Sequence, residues 1–191
     1  MKMRVLGKTS LRVSELCLGT MVFGESGSRG TDEDTSIKMI KRFIDVGGNF
    51  IDTADVYGDP NGKSEEITGK AIKGHRDELI IASKCRFPMG KGVNQRGLSR
   101  KYLFSALKNS LDRLDTSYID LFYVHCNTLD MSLIETLKAL NDLIQTGKIH
   151  YIGVSNFRAW EVMKALMISE AKNWARFEAA QYQYSLVERN I

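Results

Sequence analysis

Three short apolar runs in this chain each end in an ionisable side chain, and that pattern limits the possible folds more than any other. Phe50-Ile51 leads to Asp52, with Tyr57 on the loop beyond. Leu79-Ile80-Ile81-Ala82-Ser83 leads to Lys84, and Ile119-Asp120-Leu121-Phe122-Tyr123-Val124 leads to His125. Runs this short, rich in β-branched and aromatic residues, read as buried strands. A fold that gathers the ends of successive strands on one face would bring the ionisable groups together.

The segments between the runs read as helices and turns. Residues 4 to 14 form a small hairpin, with Val5-Leu6 before a turn at Gly7-Lys8-Thr9-Ser10. Glu15-Leu16-Cys17-Leu18 is the first core strand and stops at Gly19-Thr20, ahead of a glycine-rich loop over residues 24 to 30. Thr31-Asp32-Glu33-Asp34 supplies acids to a helix start, and Ile37, Ile40, Phe43 and Ile44 line one face of that helix. After a turn at Asp59-Pro60-Asn61-Gly62, Ser64-Glu65-Glu66 is expected to cap a second helix that stops near Gly74. Ser99 opens a third, striped by Leu103, Leu107, Leu111 and Leu114. Ser132-Leu133-Ile134-Glu135 matches a capping box for a fourth, which Gly147 ends. Tyr151-Ile152-Gly153-Val154 is a strand ending in Ser155-Asn156, and the next helix carries Trp160, Met163, Leu166 and Met167. Residues 177 to 184 read as a sixth strand with Gln181 inside it.

Strand and helix thus alternate at intervals of roughly thirty to forty residues without a linker, the spacing of a (β/α)8 barrel of ~250 residues. A doubly wound nucleotide-binding sheet competes, but its Gly-x-Gly-x-x-Gly turn is absent from the sequence. The expected fold class is therefore α/β, an incomplete (β/α)8 TIM barrel with an N-terminal β-hairpin. About six of eight strand-helix units are present, as a single domain over residues 1–191 truncated on its C-terminal side. Two missing strands would leave two exposed edges, so self-association through the barrel edges is expected.

Composition rules out several classes. Of 191 residues, 43% are hydrophobic and 26% charged, as in ordinary soluble domains. The net charge of +4 is spread among acids, which argues against nucleic acid as a partner. No apolar stretch approaches the ~18 residues of a membrane span, and no signal peptide follows the basic first residues. Cys17, Cys85 and Cys126 have no metal-ligand spacing and suit reduced thiols, so no metal and a cytoplasmic location are expected.

Giving a proton to a substrate oxygen that gains negative charge needs an acid held beside it. Tyr57 can be that acid, although a phenol gives up its proton reluctantly at neutral pH. An ammonium within reach stabilises the charge left on the oxygen, and Lys84 on the next strand is placed to supply it. Asp52 would hold Lys84 charged and aimed, and His125 would donate a hydrogen bond to the same substrate oxygen. Taken singly, Asp52 with Lys84 reads equally as a structural ion pair, Tyr57 as a loop phenol and His125 as a core histidine. Together at successive strand ends they read as one site. His75 and His150 read as surface residues.

Leu18-Gly19-Thr20, Asp52-Thr53-Ala54-Asp55-Val56-Tyr57-Gly58, Ser83-Lys84, Tyr123-Val124-His125, Gly153-Val154-Ser155-Asn156 and Gln181-Tyr182-Gln183-Tyr184-Ser185 together resemble the aldo-keto reductases. The likeness is strongest to the bacterial and potassium-channel-β-like branches and runs along the whole chain in order. It implies an NADP(H)-dependent oxidoreductase that reduces aldehydes or ketones, small-molecule carbonyl substrates, to alcohols. It also implies catalytic roles for Asp52, Tyr57, Lys84 and His125. Cofactor-binding roles follow for Gly19, Thr20, Asp52, Ser155, Asn156 and Gln181, with the last three at the nicotinamide carboxamide. Without the family, Asn156 reads equally as a cap on the next helix and Gly19 as a turn. The basic cluster for the 2′-phosphate lies, in the family, beyond the length of this chain. The substrate pocket is expected to include residues 21 to 23, 86 to 90, Cys126 and Asn127. A cofactor-binding, redox-sensing regulatory subunit is the rival reading, and an inactive truncated fragment is a third.

Overall fold

The structure is a computed structural model and describes residues 1–127 and 132–189. The chain opens with an antiparallel hairpin, β1 (Met3–Val5) and β2 (Arg12–Ser14), whose register pairs Arg4 with Val13. Six strands then form one parallel sheet in sequence order. They are β3 (Leu18–Gly19), β4 (Phe50–Asp52), β5 (Ile80–Cys85), β6 (Ile119–Val124), β7 (Ile149–Ser155) and β8 (Phe177–Gln181). The helices α1 (Glu33–Asp45), α2 (Lys63–Ala71), α3 (Arg100–Leu114), α4 (Leu133–Gln145) and α5 (Ala159–Lys172) each return the chain from one strand to the next. This is an α/β half-barrel, with β3 and β8 as its two edges among the described residues. The sixth unit contributes its strand alone there, and the end of the chain at Ile191 lies outside the described residues.

Alternation along the strands divides the core in two. Outward-facing Ile51, Ile81, Phe122, Ile152 and Val154 pack beneath the helices with Ile40, Ile67, Leu103, Leu107 and Leu140. Ala82, Leu121 and Tyr123 face inward and meet Phe50, Tyr151 and Ala179 in a second, smaller cluster. Leu6 of the hairpin joins that inner cluster, and the Lys8 amide donates to Glu178 Oε2 at 3.1 Å, so the hairpin plugs one end of the half-barrel. Gly153 belongs to the inner row because a Cβ there would lie 2.5 Å from the Tyr123 ring.

The helix starts match expectation at three places. Asp32 accepts from the Thr35 amide, Ser99 from that of Tyr102 and Ser132 from that of Glu135. The Ser132 box is only half formed, since Glu135 Oε1 takes the Arg100 amide instead. Ser64 is a correction. The N-cap of α2 is Gly62, with φ of +93° and no side-chain cap, and Ser64 lies inside the helix donating to Thr20 O at 2.8 Å. Asn156 does not cap α5, whose N-cap is Arg158, with its amide donating to Glu161 Oε2 at 2.8 Å. The sixth strand also stops at Gln181, short of Tyr184.

Candidate active site

Strand parity brings the charged residues together. In the sheet register Gly19 faces Asp52, Asp52 faces Ala82 and Lys84 faces Tyr123. Asp52 follows inward Phe50, Lys84 follows inward Ala82, and His125 follows inward Tyr123. Lys84 is the penultimate residue of β5, and its side chain is fully buried. Its ammonium donates to Asp52 Oδ2 at 2.6 Å, to Thr53 O at 2.9 Å and to the Tyr57 hydroxyl at 3.2 Å. Three acceptors satisfy all three ammonium donors, which makes so deep a charge tolerable.

Tyr57 reaches this position through a tight turn after β4. The Tyr57 carbonyl accepts from the amides of Gly62 and Ser64, and Gly58 adopts φ of +89°. A Cβ at Gly58 would lie 2.8 Å from the Ser64 nitrogen, so both space and backbone favour glycine. The Tyr57 ring meets His125 edge-on with centroids 5.8 Å apart, and Phe87 meets the other side of His125 at 4.8 Å. Burial pushes the His125 imidazole down to about 4, aided by the charges of Lys84 and Arg86, so the ring is neutral at neutral pH. Asp52 Oδ1, His125 Nδ1 and Arg86 Nε are all buried without a hydrogen-bond partner among the described residues. A half-buried phenol backed by an ammonium, beside a neutral imidazole, can transfer a proton to an oxygen placed between them.

The residues expected to hold a cofactor divide into two sets. Ser155 pairs with Gln181 in the sheet register, and Asn156 follows with its amide donating to Gln181 O at 3.3 Å. Asn156 sits at φ of +57° and donates from Nδ2 to His125 O at 3.0 Å and to Ser155 Oγ at 2.9 Å, which joins these residues to the His125 strand. At Gly19 a Cβ would meet no heavy atom within 4 Å, so the site is open over that residue. Thr20 lies deeper. It is fully buried, with its hydroxyl 3.1 Å from Asp52 O and 2.7 Å from Ser64 Oγ, so it braces β3 against β4 and α2.

Behind the site stands a buried network absent from the sequence reading. Glu65 is fully buried, and accepts from Ser83 Oγ at 2.5 Å and from Arg113 Nε at 2.7 Å. Asp55 is also fully buried, and neither carboxylate oxygen has a hydrogen-bond partner among the described residues. Burial pushes its carboxyl up to about 8, Glu65 adds to that, and Arg113 opposes it. Nothing in the local sequence marks Asp55 as different from an exposed loop acid. Phe23, expected at the pocket, lies instead in the outer core. Cys85 is buried and Cys126 half-buried, and burial raises both thiols above their usual range, so neither is a ready thiolate.

A family model described as the aldo/keto reductase family matches residues 15–191. The chain belongs to the aldo/keto reductase family. Among similar members, the aldo-keto reductase dtxS3 of Metarhizium robertsii is 37% identical, over 96% of this chain and 56% of its own length. The norsolorinic acid reductase of Aspergillus flavus is 37% identical, over 98% of this chain and 51% of its own. The crystal structure of the thermostable aldo-keto reductase Tm1743 with the inhibitor epalrestat superposes with a TM-score of 0.84 at 34% identity. That superposition covers 99% of this chain and 65% of that one. The chain thus spans roughly half to two thirds of the length of these aldo/keto reductases, which agrees with six strands in a sheet that closes with eight.

Proposed function

We propose that the protein is an NADP(H)-dependent carbonyl reductase in which Tyr57 is the general acid. The observation that carries this reading is the Lys84 ammonium, buried in the barrel and bonded at once to Asp52 and the Tyr57 hydroxyl. A stable fold does not require a phenol at the third position of that ammonium, whereas a proton donor gains from one. Negative charge left on Tyr57 when its proton departs is held 3.2 Å from a cation that does not need to move. Asp52 keeps that cation aimed. His125, kept neutral by burial, orients the carbonyl oxygen by hydrogen bonding.

The residues present fit a nicotinamide cofactor. Gly19 leaves open space at the mouth, and Asp52 Oδ1 is a buried acceptor without a partner among the described residues. Ser155, Asn156 and Gln181 gather amide and hydroxyl groups at the ends of adjacent strands, chemistry suited to a carboxamide. When bound, such a cofactor supplies the hydride. The choice of NADPH rests on the family resemblance. The names of the similar members, dtxS3 and the norsolorinic acid reductase, support reduction as the direction of the chemistry.

The test uses the full-length protein with NADPH and a panel of small aldehydes. Multiple turnovers, with NADPH preferred over NADH, are expected. A single stoichiometric burst followed by retained cofactor would instead identify a redox-sensing subunit. The same reading treats residues 1–191 as part of one barrel domain. The isolated chain then self-associates through β3 and β8, and sedimentation velocity should show species larger than the monomer. A well-behaved monomer would remove the edge argument.

A further inference from the structure

We propose that Arg86 selects the substrate, and that the preferred carbonyl compounds carry a carboxylate. The inference deepens the carbonyl-reductase reading and rests on it. Arg86 is the first residue after β5, two positions beyond Lys84, and precedes Phe87, whose ring packs against His125. Its Nε is buried and has no hydrogen-bond partner among the described residues. A buried donor on a charged group is expensive to leave unmatched, so the fold is not the reason this one is held there.

The guanidinium is placed, not loose. It lies over the Phe87 ring at 4.9 Å, and that ring packs against His125 at 4.8 Å. The Phe87 carbonyl accepts from the Tyr102 hydroxyl at 2.8 Å, and the Arg86 carbonyl accepts from the Gly97 amide at 2.8 Å. Arg86 holds this position at φ of +156°, a backbone conformation side chains rarely adopt, so its surroundings must enforce it.

Among the described residues, the neighbouring charges do not answer it. Lys84 and Asp52 engage each other at 2.6 Å, and His125 is neutral and carries its own unmatched Nδ1. Arg86 is thus a planar, permanently charged fork held on the Phe87 ring with its Nε–H unmatched among the described residues. A carboxylate is the complement of that fork, since two parallel N–H donors match its two oxygens.

The three carboxybenzaldehydes and their methyl esters test this in the full-length protein. Each acid and its ester differ in charge while presenting the same aldehyde. The measured quantity is the ratio of kcat/KM for acid over ester, which cancels effects of a substitution on His125 or on the amount of folded enzyme. For at least one isomer the wild type should favour the acid by roughly 10- to 100-fold, the range of a charge-assisted pair. Arg86→Gln should bring that ratio near unity, and Arg86→Lys should restore part of it by returning the charge without the fork. A second measurement needs no turnover: benzoate titration followed through the Arg86 Nε–H resonance, assigned by its loss in Arg86→Lys. A saturable shift is expected. A ratio near unity in the wild type, a ratio that Arg86→Gln does not move, or a resonance indifferent to benzoate overturns the proposal. Failure to reduce any of the aldehydes would reject the carbonyl-reductase reading, and the resonance would still decide whether Arg86 takes carboxylates.

Discussion

The two ends of the half-barrel are built from the same four kinds of side chain. At the C-terminal ends of the strands stand Asp52, Lys84, Tyr57 and His125. At the opposite end stand Asp120, Arg76, Tyr118 and His150. Their hydrogen bonding differs. Asp120 Oδ2 takes Arg76 at 2.8 Å and the Ile81 amide at 2.9 Å. Arg76 also donates to Thr116 Oγ1, Leu79 O and Tyr118 O, lies 3.8 Å over the Tyr118 ring, and Tyr118 in turn stacks on His150 at 4.7 Å. Among the described residues, Asp120, Arg76 and Tyr118 have no buried unmatched atom and His150 is exposed, whereas Asp52, His125 and Arg86 at the other end each have one. A saturated cluster ties strands together. A cluster with unmatched groups at an open end keeps capacity for something else, so the distribution of unmet hydrogen bonds separates the two ends where composition does not.

The exchange of matched substitutions should expose that asymmetry. Tyr57→Phe is expected to lower carbonyl reduction by ~10²–10⁴-fold, the loss usual for a general acid. Tyr118→Phe should leave steady-state rates of the same full-length protein within about twofold, as for a group outside the chemistry. Equal losses at the two tyrosines would erase the distinction.

Next in size is the saturated end. Arg76→Met strands Asp120, which is only 6% exposed, and should lower the unfolding free energy by about 3–5 kcal/mol in urea titration. Catalytic rates per folded molecule should stay at the wild-type level. A fall in rate without a fall in stability would give Arg76 a role the geometry does not suggest.

Two buried groups near the site make stability depend on pH with opposite signs. Asp55 is raised from 3.8 to about 8, so the folded state holds an extra proton between those values and loses stability as pH rises. His125 is lowered from 6.5 to about 4, so the unfolded state holds the extra proton and stability is lost as pH falls through that window. The two slopes oppose each other from about pH 4 to 6.5, and above 6.5 Asp55 acts alone, at about 2 kcal/mol by pH 8. Asp55→Asn should remove the loss above 6.5, and His125→Gln should extend it down toward 4. Thermal unfolding of the three proteins across pH 4 to 9 provides the check, and parallel curves would place both groups elsewhere in the titration.

The smallest effect is expected at Gly19. The open space over it predicts that Gly19→Ala changes stability by no more than ~0.5 kcal/mol, the usual range for a substitution that disturbs no packing. NADPH affinity, read by fluorescence titration, should nevertheless fall, because the methyl group occupies the space assigned to the cofactor. Unchanged affinity would move the cofactor away from β3.

Much of the fold could be read from the chain alone because its signals are local. The apolar runs, the capping residues Asp32, Ser99 and Ser132 and the leucine stripe of α3 each depend on neighbours within a turn or two. Period-two alternation also carried Asp52, Lys84 and His125 onto one face without any knowledge of their partners. What the sequence could not decide was which groups remain unmatched. Ser64 looks like a cap but is drawn inside α2 by Thr20, 44 residues earlier in the chain. Asp55 looks like a loop acid, and only the packing of α2 and α3 over it removes its water. Arg86 looks like one basic residue among many until Gly97 and Tyr102 fix the turn that buries its Nε. Hydrogen-bond satisfaction depends on sheet register, helix packing and loop closure together, so tertiary structure decides which of the described polar groups stay unmatched.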